Sequence, residues 1–294
     1  MPRTRLRILA TAVLLAVTAA LTGCSSSDDT APAAARADLP DGSPTLERIV
    51  KAGELVVGTP DDMPGFNLLD PITGKYTGFE ADLAAELAEH ILGAPKVKHV
   101  AITTDTREAL IVNNTVDAVL STYQITAARL ERINFAGPDL LLGTGIVARK
   151  DFEMATVTAL PQLAKVRVIT TAGAAADILK AEVPGAELVV FDSAVACVRA
   201  LEDGRGDVFV NNEATAIAVL AEHKNLKIVP NTLPDASFGI GVSKSDPVFT
   251  KFVNDFLTAA IADGTWKKLW EKNVTPITGE PAPKPPVVGD LGLE

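Results

Sequence analysis

The sequence predicts an α/β protein made of two similar α/β units, on the evidence of two patterns. Short apolar runs, such as residues 54–58 and 97–101, alternate with longer stretches of helical periodicity, such as 78–92. The same alternation starts again after about residue 150. Alternating strands and helices are typical of parallel sheets with crossover helices. We therefore expect two lobes of similar size that share a C-terminal part.

The elements of both units follow from their periodicity. In the first unit, strands are expected at 54–58, 97–101 and 117–120, with helices at 78–92 and 107–113. In the second, strands are expected at 166–170, 188–191, 207–210, 226–229 and 238–242. Its helices are expected at 174–182, 193–202 and 213–222, followed by closing helices at 247–263 and 265–272. The helix at 78–92 repeats apolar residues at every fourth position, namely Phe79, Leu83, Leu87 and Ile91.

Polar residues follow several of the expected strands. In open α/β sheets, ligands bind beyond the carboxyl ends of the strands. Four such ends are polar or contain glycine, at residues 59–66, 121–126, 170–173 and 211–213. The end at 121–126 is followed one helical turn later by Arg129. This stretch is either a plain helix cap or half of a pocket for a small anion.

The amino terminus predicts export and a lipid anchor. Three arginines precede an apolar run at 8–21, which is too short to span a bilayer as a helix. Small residues then lead directly into Cys24, which resembles a lipobox, where signal peptidase II cuts and the cysteine is lipidated. The alternative is an ordinary secretory signal with an incidental cysteine. We expect a signal peptide at 1–23, a disordered tether at 24–44 and a Pro-rich tail at 274–294.

Charge and cysteine content restrict the partners. Removal of residues 1–23 takes away three arginines and no acid, so the formal net charge moves from −10 to −13. Nucleic acid is therefore not an expected partner, because phosphate binding depends on basic patches. The lipid on Cys24, and not surface charge, would hold the protein on the outer face of the cell membrane. Cys197 then has no partner in the chain, so we expect no intramolecular disulfide.

Signals for catalysis are weak. The three histidines, His90, His99 and His223, fit no metal or triad spacing. A half-match to a dinucleotide fingerprint at 143–148 lies in an expected strand with no helix behind it. We expect no enzyme, no cofactor and no metal site.

Four ordered stretches carry a family resemblance. They are DDMPGFNLLDPITGKYTGFEADLAAELA (61–88), STYQITAARLERINFAGP (121–138), DSAVACVRALEDGRGDV (192–208) and FVNDFLTAAIADGTWKKLWEK (252–272). The chain resembles the polar amino-acid-binding lipoproteins of bacterial ABC importers, solute-binding protein family 3. Within that family it resembles in particular the actinobacterial lipoproteins that bind glutamate, aspartate or glutamine.

The resemblance implies a periplasmic-binding-protein fold. Two lobes would be joined by two crossing strands, near 146–150 and 235–239, and would close around a solute. Lobe one would comprise 45–147 plus 240–273, and lobe two 148–239. The protein would be a monomer that delivers its solute to an ABC permease. The alternatives are a lipoprotein that reports a solute to a membrane sensor, and a dehydratase-like enzyme of the same fold with Glu213 as its cleft acid.

The resemblance also implies ligand contacts on lobe one. Arg129 matches the arginine that clamps the α-carboxylate, and a planar guanidinium suits that task because it binds a carboxylate bidentately. Thr122 matches a hydroxyl contact, and Gln124 stands where serine is usual. Asp62 and Phe66 lie where the family places an aromatic or polar wall. A surface arginine, a turn aspartate and a core phenylalanine are the plain alternatives.

Lobe two departs from the family pattern. Thr171-Ala172-Gly173 stands where the family has G-T-T or G-S-T, so one hydroxyl is missing, although the N–H of Gly173 could still bind an anion. Asn212 stands where an aspartate holds the ammonium group of the ligand. An amide cannot neutralise a buried cation. We therefore hypothesise a small carboxylate solute, of the type of Glu, Asp, Gln or Asn, whose amine is absent, modified or weakly held.

Overall fold

The structure of the protein, a computed structural model, describes residues 38–172 and 174–293. The expected signal peptide, Cys24, most of the tether and Gly173 lie outside the described residues. The helices are α1 (Pro44–Ala52), α2 (Phe79–Leu92), α3 (Arg107–Val112), α4 (Ala127–Leu130), α5 (Ala174–Glu182), α6 (Ala194–Glu202), α7 (Glu213–Glu222), α8 (Pro247–Ala262), α9 (Thr265–Asn273) and α10 (Thr275–Thr278).

The strands form three sheets, and a 3-10 helix covers Leu160–Lys165. The strands are β1 (Leu55–Thr59), β2 (Asp62–Met63), β3 (Asn67–Leu69), β4 (Tyr76–Thr77), β5 (Val97–Ala101), β6 (Ala118–Val119), β7 (Asn134–Leu142), β8 (Thr144–Arg149), β9 (Arg167–Thr171), β10 (Glu187–Phe191), β11 (Val208–Asn212), β12 (Leu226–Ile228) and β13 (Ala236–Val242). The small sheet, β2-β3-β4, is a meander in the loop between β1 and α2.

Each of the two larger sheets is the centre of one lobe. The sheet of lobe one has the order β5-β1-β6-β13-β7, in which β5, β1 and β6 are parallel and β13 runs antiparallel to its neighbours. The sheet of lobe two has the order β10-β9-β11-β8-β12, with β10, β9 and β11 parallel and β8 antiparallel. The predicted fold class, two α/β lobes of the periplasmic-binding-protein type, is confirmed.

The chain changes sheets at two places, Gly143 and residues 229–235. The first change comes earlier than the expected boundary after Val147, because Val147 already pairs with Phe209 in the sheet of lobe two. The second also comes earlier, because Ala236 pairs with Leu142 in the sheet of lobe one. The apolar run 140–148 is almost continuous in sequence, so its pattern alone does not show where one sheet ends and the next begins.

The core of lobe one forms around α2, whose Phe79, Leu83, Leu87 and Ile91 are all fully buried. Burial of each such side chain stabilises the fold by about 1.5–3 kcal/mol. Phe79 packs edge-on against Trp266 and Trp270 of α9, which ties the C-terminal helices to this lobe. Gly78 precedes the helix with φ 126°, and a Cβ there would overlap the carbonyl oxygen of Phe66. The helix therefore begins at a position that requires glycine.

Both ends of the described chain pack against lobe one. Ser43, at the end of the expected tether, caps α1 and donates its hydroxyl to Asp246 Oδ2 at 2.8 Å. The expected irregular tail contains α10 and then follows the lobe surface to residue 293, where Leu291 packs against a core cluster. The N–H of Gly289 donates to Gly137 O at 2.8 Å. Among the described residues, no helix is long and apolar enough to cross a membrane.

Cys197 is buried within lobe two as a free thiol, and burial raises its pKa to about 11. In the same lobe, Arg167 forms an ion pair with Asp207 at 2.9 Å. This pair joins the start of β9 to the start of β11, because Asp207 Oδ2 also accepts the backbone N–H of Arg167. The starts of β9 and β11 are therefore held together by both an ion pair and a backbone hydrogen bond.

Candidate functional site

A cavity of about 730 Å³ lies where the strand ends of the two lobes meet. Its lobe-one wall includes residues 60–63, from the loop after β1, and Thr122, Gln124 and Arg129 after β6. Its lobe-two wall includes Thr171 at the end of β9 and residues 210–212 at the end of β11. Strand ends from both lobes therefore line one cavity.

Arg129 enters the cavity from α4. The hydroxyl of Thr126 caps this short helix and accepts the N–H of Arg129 at 3.4 Å. The guanidinium is held from one side, where Nη1 donates to Gln124 O at 2.5 Å, and its Nε lies 4.0 Å from Glu108 Oε1. Because a guanidinium has five N–H donors, further donors remain for a solute.

A second arginine, Arg107, lines the same cavity, and the sequence reasoning missed it. It opens α3, which follows β5 after the short loop 102–106, and the residue is buried at 7% exposure. Its Nη1 donates to Ser121 Oγ at 3.3 Å, whereas its Nε has no hydrogen-bond partner among the described residues. A charged residue just after a fifth strand end was the available signal.

The two guanidinium groups share one aromatic ring. Arg107 Cζ lies 3.7 Å from the ring centroid of Tyr123, and Arg129 Cζ lies 5.0 Å from it. Burial lowers the pKa of Arg107, and the charge of Arg129 lowers it further. Glu108 is the nearby carboxylate, and it also pairs with Arg132 at 3.2 Å. Two positive charges held together beside a cavity form a site for a negatively charged group.

Thr122 and Gln124 take different roles in the lobe-one wall. Thr122 has a left-handed backbone with φ 43°, and its N–H donates to the buried Glu80 Oε1 at 2.7 Å. Its hydroxyl donates to Ser121 O at 2.8 Å, which leaves the lone pairs of the oxygen for a solute. Gln124 is exposed in the cavity, and its backbone pairs with Phe238 of β13.

The lobe-two wall consists of hydroxyl and amide groups. Asn211 Nδ2 donates to Thr171 Oγ1 at 3.0 Å, so this second asparagine, which sequence reasoning also missed, orients the threonine. Asn212 caps α7, and its Oδ1 accepts the N–H of Thr215 at 2.8 Å. Because the oxygen of Asn212 is used in this cap, its Nδ2 is the group left for a solute.

The two wall residues expected after β1 fall in different places. Asp62 lines the cavity and is exposed. Phe66 does not line it: the side chain is fully buried in the core of lobe one, 6.3 Å from Trp270 between ring centroids. The expectation of Phe66 as a ligand wall is therefore corrected. The meander β2-β3-β4 turns Phe66 toward α2 and α9, so that core packing takes the ring.

Glu213 belongs to the first sheet crossing. Its Oε2 accepts the N–H of Gly143 at 2.8 Å. Burial raises the pKa of Glu213, and the nearby Asp235 raises it further. The residue therefore holds the crossing between the lobes, and it is not among the residues that line the cavity. Within the described residues, no group of three His, Cys, Asp or Glu side chains could hold a metal ion.

Comparisons with known proteins agree with this architecture. The family described as bacterial extracellular solute-binding proteins, family 3, matches residues 55–276. The glutamine-binding protein of Geobacillus stearothermophilus is 30% identical over 83% of this chain and 94% of its own. The glutamate-binding protein GluB of Corynebacterium glutamicum is 29% identical over 76% of this chain and 80% of its own.

A solved structure extends the similarity to the fold. An ancestral amino acid-binding protein, described as a precursor of cyclohexadienyl dehydratase, is 30% identical with a TM-score of 0.67. The match covers 79% of this chain and all of that one. The curated relatives named above are solute-binding proteins and not enzymes. The chain therefore belongs to the bacterial extracellular solute-binding proteins, family 3, as its four sequence stretches predict.

Proposed function

We propose that this chain is an extracytoplasmic solute-binding lipoprotein that captures a small acidic solute of amino-acid type for an ABC importer. The observation that carries the proposal is the pair of guanidinium groups, Arg107 and Arg129, that line one cavity. A guanidinium group can bind a carboxylate bidentately, and two guanidinium groups suit a solute with two carboxylates. The cavity volume of about 730 Å³ lies in the range usual for small-molecule sites.

The lobe-two wall favours a solute whose amine is absent, modified or weakly held. Asn212 presents an amide N–H to the cavity, because its oxygen caps α7. An N–H group is a donor, and it suits a carboxylate or carbonyl oxygen better than an ammonium group. The carboxylates that line the cavity are Asp61 and Asp62 of lobe one, and both are exposed. An ammonium group would therefore be held at the rim and not by a buried counter-charge.

Capture follows from the two lobes. The solute docks first on lobe one, where the charged groups are already in place. Lobe two then closes by bending at Gly143 and residues 229–235, and it covers the solute with Thr171, Asn211 and Asn212. Apparent affinity is reduced by the fraction of molecules that are not competent to close.

The relatives support an amino-acid solute and an importer. Their names include glutamine-binding and glutamate-binding proteins, and one is the ABC transporter glutamine-binding protein GlnH of Bacillus subtilis, 26% identical. The lipid on Cys24 is proposed from the basic and apolar residues that precede it. Lobe closure would equally serve a protein that reports to a membrane sensor. Uptake of labelled solute through a reconstituted permease would distinguish an importer component from such a sensor protein.

Binding without catalysis is part of the proposal. Glu213, the residue considered as a cleft acid, accepts the N–H of Gly143 at the crossing. A general acid must lie within about 3 Å of the reacting atoms, directly or through one water. Glu213 is instead bonded at the crossing and is not among the residues that line the cavity.

A calorimetric panel on the protein from Ser25 onward tests the proposal. It comprises 2-oxoglutarate, N-acetyl-L-glutamate, L-glutamate, L-glutamine and L-arginine. We expect the three dicarboxylates to bind, with 2-oxoglutarate at least as tight as L-glutamate, and L-arginine not to bind. Tight binding of L-arginine alone would contradict an acidic solute. A preference for L-glutamate of more than about tenfold over 2-oxoglutarate would contradict the weakly held amine.

A further inference from the structure

Thr122, in the lobe-one wall of the cavity, has a strained backbone conformation that needs stabilising contacts. Thr122 is one of two non-glycine residues with positive φ among the described residues, the other being Asn114. A left-handed backbone is rare for a β-branched side chain and costs on the order of 1–3 kcal/mol. Strain of this kind persists where neighbouring groups fix it, and it is concentrated at functional sites.

Glu80 supplies the contact that fixes Thr122. Its Oε1 accepts the N–H of Thr122 at 2.7 Å, and its Oε2 accepts from Asn67 Nδ2. The side chain is 1% exposed, so water does not compete for these bonds. Glu80 also lies in the first turn of α2, where the helix dipole favours a negative charge.

The groups around Glu80 shift its pKa in opposite directions. Asp139 of β7 is 1% exposed, and neither of its carboxylate oxygens has a hydrogen-bond partner among the described residues. Burial raises the pKa of Asp139 well above its usual value, and Glu80 raises it further. Burial raises the pKa of Glu80 to about 7, against the lowering effects of the Thr122 N–H, the Asn67 amide and Arg107. Burial therefore disfavours the charged form of both carboxyl groups, whereas the contacts with Thr122 and Asn67 favour the carboxylate of Glu80.

The conformation at Thr122 sets the carbonyl that holds Arg129. Gln124 follows Thr122 by two residues, and Gln124 O accepts Arg129 Nη1 at 2.5 Å. Tyr123 O and the N–H of Ile125 on either side are bonded to β13, so a change of φ at residue 122 would strain this pairing and displace the carbonyl and the guanidinium with it. The contact at Glu80 is therefore linked to the solute-binding arginine through three residues of backbone.

We propose that Glu80 is a positioning residue of the solute site, which rests on the proposed function: its carboxylate holds Thr122 in the left-handed conformation that places Gln124 O and Arg129. Glu80 does not line the cavity, so it acts through the loop and not by contact with the solute.

A double-mutant cycle tests this role. Glu80→Leu removes the acceptor, and Thr122→Gly removes the strain, because glycine adopts positive φ freely. The affinity for 2-oxoglutarate and L-glutamate is measured by calorimetry. We expect Glu80→Leu to lose about tenfold or more, which is the effect of one unsatisfied buried donor. In the Thr122→Gly background, the further loss from Glu80→Leu should be less than about threefold.

Matched variants separate positioning from general stability. Glu80→Gln keeps an oxygen acceptor and should retain affinity within about threefold. Glu89→Gln changes an exposed glutamate of the same helix and should leave affinity unchanged. Where Glu80→Leu does not fold, Glu80→Asp withdraws the acceptor by one methylene and takes its place in the cycle. Unchanged affinity in the acceptor-lacking variant, or losses that simply multiply in the double mutant, would overturn the proposal.

A measurement without solute distinguishes this role from the function itself. Amide hydrogen exchange at Thr122, followed by NMR, should be slow in the wild type and in Glu80→Gln and fast in the variant without the acceptor. Retained protection in that variant would overturn the positioning role whatever the solute is. If the exchange result is as expected but no panel member binds the wild type, the proposed function fails and the positioning of Thr122 stands.

Discussion

The two walls of the cavity differ in how they are built. The lobe-one wall carries two guanidinium groups, with the buried carboxylate of Glu80 behind the loop between them. The lobe-two wall, in its described residues, carries hydroxyls, amides and apolar side chains such as Ile178 and Leu179, and no charge. Charge in a site is most effective where water is excluded. In the proposed function, this difference assigns charge selection of the solute to lobe one, and the exclusion of water and neutral hydrogen bonds to lobe two.

Arg129→Ala should have the largest effect on this comparison. The variant removes a bidentate partner from a carboxylate, and we expect a loss of about 100-fold or more in affinity for every dicarboxylate that binds. Calorimetry measures the loss. Arg132→Ala is the matched control, because Arg132 is 64% exposed and pairs with the same Glu108. Affinity within about threefold of the wild type in Arg129→Ala would show that the solute does not use this arginine.

Arg107→Met tests whether the second guanidinium reads a second carboxylate. Methionine fills similar space without charge. We expect affinity for L-glutamate to fall about 10- to 100-fold, because a buried carboxylate would lose its partner, and affinity for L-glutamine to change much less. The ratio of the two affinities is the measurement. Equal losses for both solutes would mean that Arg107 supports the wall structurally through Ser121 and Tyr123.

Asn212→Asp places a charge in the neutral wall. Aspartate still accepts the N–H of Thr215, so the cap of α7 is kept. We expect affinity for L-glutamate to rise about tenfold and affinity for 2-oxoglutarate to fall about tenfold. Asn212→Ser, which also caps the helix but adds no charge, is the control. A variant that changes neither affinity would contradict a contact between residue 212 and the solute.

The buried carboxyl group of Glu80, in α2 of lobe one, predicts a dependence of stability on pH. The pKa of Glu80 is raised to about 7 in the folded protein. Its contribution to stability is therefore fully present below the unfolded pKa near 4.5 and is lost as pH rises through about 7. Glu80→Gln does not titrate, so its melting temperature relative to the wild type should increase from pH 5 to pH 8. A difference that is constant over this range would contradict the raised pKa of Glu80.

Arg167→Ala should have the smallest effect. The ion pair with Asp207 in lobe two is partly exposed, with 39% of the arginine side chain accessible. We expect the free energy of unfolding to fall by less than about 1 kcal/mol, because exposed ion pairs are screened by water and salt. Urea denaturation at two salt concentrations measures it. A larger, salt-independent loss of unfolding free energy would mean that the ion pair is effectively buried. Lobe two would then also depend on a buried charge, which would weaken the contrast with lobe one.

The sequence predicted the parts of this molecule that depend on local pattern. The periodicity of α2, the alternation of the two units and the Thr126 cap of α4 all follow from neighbouring residues, whereas the role of Arg129 was implied by the family resemblance. Phe66 could not be placed, because the same loop offers a core side and a cavity side, and only the packing of α9 decides between them. The change of sheet at Gly143 also depends on pairing with a strand over 60 residues away.

The missed residues share a physical reason. Arg107 is a charged residue at a helix start, where an arginine is usually solvated. Its burial arises from contacts with Ser121 and Tyr123, which come from another element. Asn211 likewise acts through Thr171, 40 residues earlier. Side chains whose role depends on a partner from a distant element carry only a weak local signal in a single sequence, such as the position of Arg107 after a strand end.

The C-terminal residues give the protein a built-in place for a reporter. Gly292 lies so close to β13, the strand that follows the second crossing, that an added methyl group would be 2.8 Å from Ser237 Oγ. Gly289 is bonded to Gly137, which faces Gly239 of β13. An environment-sensitive dye attached at residue 293 would therefore lie beside the start of β13, next to the segment 229–235 at which the proposed closure bends the chain. It would convert solute capture into an optical signal without any change to the cavity itself.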